Sequence, residues 1–125
     1  EVDGRPARSY YQWTALLRAL SSFEAFAEIY RGSPGTRKVS ELLLLRADVP
    51  RSLRACMDEL NLMLASLPGD NGRPAQRLAA ELEARLRYTS IEEVLDEGLH
   101  AWLTDFILLV RQLGQAIQSS YLEVA

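Results

Sequence analysis

The sequence predicts an all-α fold, an antiparallel helical bundle organised around a long C-terminal helix. Apolar residues recur every three or four positions in each segment, as along one face of a helix, and no segment alternates as a strand does. The stretch 90–124 contains no proline, and Ser90 and Glu93 at its start have the spacing of a capping box. We therefore expect one helix of about 30 residues there, roughly 45 Å long at 1.5 Å per residue.

The faces of this predicted helix separate at about 100° per residue. The expected core stripe consists of Leu95, Leu99, Trp102, Phe106, Leu109, Leu113 and Ile117. The expected solvated face consists of Glu93, Glu97, His100, Thr104, Arg111, Gln115 and Gln118. Residues 106–110 are apolar on all sides, which places Ile107 and Leu108 near the polar face and makes them a candidate interface. For Gly98 and Gly114 we favour close approach of a second helix over a hinge.

The N-terminal region divides into an arm and the start of the bundle. Residues 1–9 contain few apolar groups together with Gly4 and Pro6, which predicts a linker or arm. The pattern then predicts helices over 10–20 and 23–30, and we favour one continuous or kinked helix across them, because serine is only mildly unfavourable inside a helix. Residues 10–125 are predicted to form a single helical bundle domain.

Proline and glycine mark the boundaries in the middle of the chain. RGSPGTR at 31–37 breaks the first helical region, and Pro68–Gly72 is the strongest loop signal. Pro50 disfavours helical geometry at Val49 but suits the first turn of a helix that starts at Pro50 itself. The helices predicted in this region cover 39–46, with four adjacent leucines, and then 50–67 and 74–88.

Composition limits the classes of function. The chain has 125 residues and a net charge of −3, so no basic field indicates nucleic acid or an anionic membrane as a partner. Its apolar runs are too short to cross a bilayer. Cys56 is the single cysteine, which suits a reducing cytoplasm. The chain starts at Glu1 rather than methionine, and we expect it to be a piece of a longer protein.

No catalytic, cofactor or metal site is predicted. Glu97 and His100 have the spacing of di-iron ligands, but the chain has one histidine and both residues lie on the solvated face. Cys56 flanks a leucine stripe and is expected to be a buried structural thiol. The aromatic residues of the first helices are expected in the core rather than in a stacking platform. These are Tyr10, Tyr11, Trp13 and Tyr30.

Arg51 is the candidate anion-binding residue. It follows Pro50 in the predicted first turn of a helix, where free backbone N–H groups and Ser52 lie beside it. A phosphate or carboxylate is the ligand that such groups would hold. The alternative, which we favour, is an ion pair between Arg51 and a nearby carboxylate such as that of Asp48.

Three segments together resemble a known family. They are SYYQWTALLRALSSFEAFAEIYRG, VSELLLLRADVPRSLRACMDEL and RLAAELEARLRYTSIEEVLDEGLHAWL. In this order they resemble the C-terminal part of the bacterial Alpha-E domain family. The resemblance implies a helical domain of unassigned activity, whose genes lie beside or are fused to those of ATP-grasp and transglutaminase-like proteins. It also implies that an N-terminal half, which carries the family's Glu-Arg motif, is missing.

Two functions remain open at this stage. The favoured one is a non-catalytic interaction or scaffold domain serving an ATP-grasp system. Its partner is then the missing N-terminal half, the ATP-grasp protein or the transglutaminase-like protein, and a homodimer through Ile107 and Leu108 is a further prediction. The alternative is part of an active site for ATP-dependent amide-bond formation, with an anion held at Arg51 and Ser52.

Overall fold

A computed structural model describes the backbone of residues 6–67 and 72–122 and the side chains of residues 10–67 and 72–121. These residues form α-helices, a π-helical turn and no strand, which confirms the all-α prediction. The helices are α1 (Pro6–Ala19), α2 (Phe23–Ile29), α3 (Thr36–Leu45), α4 (Leu53–Ser66), α5 (Arg73–Tyr88), α6 (Ile91–Glu97) and α7 (Leu99–Ile117), and the π-helical turn is Gln118–Leu122.

The C-terminal helix is divided at Gly98, so the prediction of one continuous helix over 90–124 is wrong. Gly98 has φ +103° and ψ 125°, a backbone conformation that residues with a side chain rarely adopt. Its N–H donates to the carbonyls of Val94 and Leu95, which ends α6, and α7 starts at the next residue. A β-carbon would meet no atom within 4 Å at Gly98 or at Gly114, so close helix approach is not the reason for either glycine.

The start of α6 follows the sequence prediction. Ser90 Oγ accepts a hydrogen bond from the Glu93 N–H (3.2 Å), and Glu93 Oε1 accepts one from the Ser90 N–H (3.1 Å). These are the two bonds of a capping box, and they satisfy backbone donors that no carbonyl of the helix can reach. Arg37 on α3 also donates to the Glu92 carboxylate in the first turn of α6.

The first helical region consists of two separate helices, contrary to the continuous or kinked helix we favoured. Ser21 has φ +54° and separates α1 from α2, and the buried Ser22 donates its hydroxyl to the carbonyl of Leu20 (3.1 Å). α1 begins at Pro6, which suits a first helical turn, rather than at Tyr10. Of the predicted arm, residues 1–5 lie outside the described residues, and 6–9 belong to α1.

Among the described residues, two hydrophobic clusters make up the interior. The larger joins α4, α5, α6 and α7 with the end of α3, and the smaller joins α1, α2 and α3. The leucine run of α3 contributes to both, because Leu42 is buried in the smaller cluster and Leu44 and Leu45 in the larger. Leu99, at the start of α7, packs against both clusters. α3 and the start of α7 therefore hold the two clusters together.

The predicted faces of α6 and α7 are confirmed. Every residue of the predicted core stripe is buried or half-buried, and every residue of the predicted solvated face is exposed. Trp102 and Phe106 stack with their ring centroids 5.2 Å apart. α5 packs against both α4 and α7, and α7 also contacts α6.

The two glycines of this region should respond oppositely to alanine. Gly98→Ala forces a side chain into a glycine-only conformation and should lower the free energy of unfolding by about 1–3 kcal/mol. Gly114→Ala lies inside α7 beside open space and should raise it by about 0.5–1 kcal/mol, because alanine loses less entropy in a helix. Urea unfolding followed by circular dichroism measures both changes. A neutral Gly98→Ala would show that α6 and α7 do not need this break.

Candidate functional site

Large apolar side chains are exposed along the middle of α7. Ile107, Leu108 and Val110 expose 51%, 52% and 39% of their surface, and we call these three residues the belt. Trp102 and Phe106 are buried on the core-facing side of α7, and around the helix Ile107 and Leu108 lie about 100° and 160° from Phe106, whereas Val110 lies about 40° from it. The belt is therefore an apolar surface on a helix whose other side is held in the main core. Sequence reasoning placed Ile107 and Leu108 near the polar face as a candidate interface, but it did not single out Val110.

A groove of about 540 Å³ between α4 and α5 is a second exposed surface. Two side-chain amides link the helices there: Asn61 donates to the Ala79 carbonyl (3.1 Å), and Gln76 donates to the Leu64 carbonyl (2.8 Å). Leu62 lies beside them and is 73% exposed. Sequence reasoning missed Leu62, although the apolar run Leu62–Leu64 is wider than one helix face and was a usable signal.

The structure separates the two residues of the predicted anion site. The sequence had suggested that Arg51 lies in the first turn of the helix. In the structure α4 begins at Leu53, so Arg51 precedes it. Ser52 is fully buried, and its hydroxyl accepts from the Ala55 N–H (3.0 Å) and donates to the Arg46 carbonyl. That hydroxyl is therefore committed to capping α4 and closing the preceding turn.

Arg51 itself is exposed, and the described residues form no ion pair with it. The carboxylate that we expected to pair with it, that of Asp48, binds Arg46 instead, with Arg46 Nε 2.8 Å from Oδ1. The Arg46 guanidinium holds the pKa of Asp48 below its usual value. Anion binding at Arg51 stays a prediction, and it rests on Arg51 and backbone groups without the Ser52 hydroxyl.

The residues considered for chemistry have ordinary environments. Glu97 and His100 are both exposed, as predicted. Among the described residues, no group of three or more His, Cys, Asp or Glu side chains lies close enough to hold a metal ion. Cys56 is exposed, so the prediction of a buried thiol is wrong: its position on the flank of the α4 stripe leaves it facing solvent.

The aromatic residues of the N-terminal region do not share one environment. Trp13 is buried in the smaller cluster, as expected, whereas the core prediction is wrong for Tyr10 and Tyr11, which are exposed. Tyr30 is half-buried and donates its hydroxyl to Glu41 (2.7 Å). Burial and the bond to that carboxylate raise the pKa of Tyr30. These tyrosines therefore form no single stacking surface.

Comparison with known proteins identifies relatives without assigning an activity. The family model Alpha-E, described as a predicted alpha-helical domain with a conserved ER motif, matches residues 1–122. Uncharacterised proteins of Mycobacterium bovis and Mycobacterium tuberculosis are 38% identical over 88 residues, which is 63% of this chain and 10% of theirs. The chain thus spans about a tenth of their length. No solved structure matches it significantly.

The 125 residues of this sequence contain no Glu-Arg dipeptide, although the family description names a conserved ER motif. No helix in the described ranges is both long and apolar enough to cross a membrane.

Substitution at Ser52 tests its structural role. Ser52→Ala removes the cap of α4 and one of the two donors to the Arg46 carbonyl, which keeps only the Val49 N–H, and it should lower the free energy of unfolding by about 1–2 kcal/mol. Arg51→Ala, the neighbouring control, should change it by less than about 0.5 kcal/mol, as exposed positions usually do. Chemical unfolding measures both. If Arg51→Ala cost as much as Ser52→Ala, Arg51 would hold a structural contact rather than stand free for an anion.

Proposed function

This chain belongs to the Alpha-E family, and we propose that it is a non-catalytic protein-interaction domain, accessory to an ATP-grasp peptide-ligase or peptide-modification system. The belt on α7, formed by Ile107, Leu108 and Val110, is its contact surface in this proposal. The protein acts in the cytoplasm, where ATP-dependent ligation takes place and where a lone cysteine such as Cys56 remains reduced.

The exposure of the belt is the observation that carries the proposal. Ile107 and Leu108 each leave about half of their surface in water, and Val110 lies one turn from Ile107. Burying apolar surface is worth roughly 25 cal/mol per Å², so a partner that covered these side chains would gain binding free energy from them. Contiguous apolar patches of several hundred Å² often mark interfaces, and the three belt side chains would contribute to such a patch.

The structure of α7 makes this surface ready for contact. Trp102, Phe106 and Leu113 are buried on the other side of the helix and fix its position against the bundle. Because the belt residues belong to a regular helix, little backbone order has to be gained on binding. Preorganisation of this kind lowers the entropic cost of association.

The class of partner comes from the family context. The resemblance implies ATP-grasp and transglutaminase-like proteins, encoded beside or fused to Alpha-E domains. The mycobacterial relatives are about ten times as long as the matched region, and their names state no function. We propose that an ATP-grasp protein, as a separate chain or as another region of the same polypeptide, covers the belt.

Sedimentation velocity with the ATP-grasp protein encoded beside this chain tests the proposal. We expect a complex, and we expect Ile107→Glu with Leu108→Lys to weaken it at least tenfold, because charges replace the apolar contact. Leu62→Glu on α4 is the matched control: it also places a charge at an exposed leucine and should change the affinity by less than twofold. Circular dichroism should show that each variant remains helical.

Two results would contradict the proposal in different ways. A complex unaffected by the belt substitutions would place the contact elsewhere on the chain. Absence of any complex at the highest soluble concentration, with both full-length proteins, would remove the accessory role itself.

A further inference from the structure

The last helical turn of the described chain, Gln118–Leu122, is π-helical although it directly continues the α-helix α7. We call it the C-terminal turn. In a π-helix each backbone hydrogen bond spans five residues instead of four, and such turns are rare and frequently lie at functional sites. No proline lies in this stretch, so the sequence does not force the α-helix to stop. A contact with another part of the chain therefore accounts for the change of register.

Tyr121 makes that contact, with Gly72 at the start of α5. A β-carbon on Gly72 would overlap Oη and Cζ of Tyr121, and the three atoms nearest to it all belong to that tyrosine. Gly72 has φ −87° and ψ 4°, which residues with a side chain also adopt, so the close approach of the phenol is what requires glycine. Gly72 is buried, and the half-buried Tyr121 packs against the larger hydrophobic cluster.

Helix geometry shows where Tyr121 would lie if α7 simply continued. At 100° per residue it would lie about 80° around the helix from the buried Leu113 and about 20° from the exposed Val110. A π-helical turn contains more residues than an α-helical turn, so each residue rotates the chain by less. Over residues 118–121 this smaller rotation brings Tyr121 back toward the side of Leu113. The register of the C-terminal turn therefore decides on which side of α7 the tyrosine lies.

Two effects of opposite sign set the register. The α-helical register has the more favourable backbone geometry, as the rarity of π-helices indicates. The π-helical register removes part of an aromatic ring from water, which favours it. The hydrogen bonds of α7 up to Ile117 are the same in both registers, so a change of register does not disturb the rest of the helix.

We propose that the C-terminal turn is a switch with two positions. In the docked position, the one in the structure, it is π-helical and Tyr121 lies on Gly72. In the released position it continues α7 as an α-helix, and Tyr121 lies between Val110 and Ile107 around the helix. Release thus adds an aromatic side chain to the exposed apolar side of α7.

The switch belongs to the chain alone, but it has a consequence for the contact surface on α7. A ligand shifts a conformational equilibrium toward the state that it binds better. A partner that covers Ile107 and Val110 and also contacts Tyr121 therefore favours the released position. This consequence rests on the proposed function, whereas the two positions themselves do not.

Substitution of Gly72 tests the docked position. Gly72→Ala places a methyl group where the phenol lies and should move the C-terminal turn to the released position. In NMR spectra, nuclear Overhauser contacts between the Tyr121 ring and Gly72 Hα should be present in the parent chain. In the variant the Tyr121 ring should show no contact with residue 72. The contact pattern of residues 118–121 should become α-helical, and broadening of the ring signals by a soluble paramagnetic agent should increase severalfold.

Gly114→Ala is the matched control. It is also a glycine-to-alanine change, but a β-carbon at Gly114 would meet no atom within 4 Å. The C-terminal turn should therefore remain π-helical in this variant, with Tyr121 on Gly72.

Tyr121→Ala tests the switch from the other side and does not depend on whether Gly72→Ala folds. Without the phenol, residues 118–122 should show the α-helical contact pattern in an otherwise unchanged bundle. Gly72→Ala should lower the urea midpoint of the parent chain, and it should lower that of Tyr121→Ala much less, because the atoms that the new methyl group would overlap are then absent.

Three results would overturn the proposal. A parent chain without contacts between Tyr121 and Gly72 would not occupy the docked position. A turn that remains π-helical in both variants would owe its register to something other than Tyr121. A turn that loses helical structure in both variants would have no released helical position. None of these results involves the ATP-grasp protein, and absence of that complex would refute only the proposed function.

Discussion

The backbone conformation of Gly98 is the constraint on which the C-terminal half depends. α6 packs on α3, where Arg37 binds Glu92, while α7 packs on α5. An unbroken helix through this point would follow one axis and would lose one of these contacts. The positive φ of Gly98 changes the chain direction within one residue, and Leu99 immediately afterwards packs against both hydrophobic clusters. The exposed side of α7 is a consequence of this arrangement, because α5 and α6 cover the other side.

The faces of the helices were predictable from sequence, whereas their ends were less so. Faces depend on a periodicity that many residues repeat, so the buried Trp102 and the exposed His100 of α7 were both assigned correctly. Ends depend on single backbone conformations that tertiary contacts select. Gly98 and Ser21 have positive φ in this fold, but glycine and serine also occur inside continuous helices, and nothing local distinguished the two cases. The start of α4 was also misplaced. The sequence analysis put Pro50 inside the helix, whereas Ser52 is the N-cap and Pro50 lies before it.

The candidate surface was predictable in part. An all-round apolar segment at 106–110 indicated that Ile107 and Leu108 needed cover, and both are exposed in the described fold. Whether another helix of the same chain covers these residues depends on where the neighbouring helices lie. A helical wheel of α7 contains no information about the positions of other helices. Cys56 shows the same limit of sequence reasoning. A position beside a leucine stripe can be either buried or exposed, and Cys56 is exposed.

The exposed apolar residues of α7 contribute little to the stability of the chain that carries them. Hydrophobic stabilisation is proportional to the area removed from water, and Ile107 and Leu108 retain about half of theirs. The buried stripe of Trp102, Phe106 and Leu113 already anchors the helix, so polar residues at the belt would hold it equally well. A β-branched residue such as Ile107 is also a weaker helix former than glutamate or lysine. Neither packing within the chain nor helix propensity accounts for isoleucine at this position, whereas the contact surface proposed for α7 would account for it.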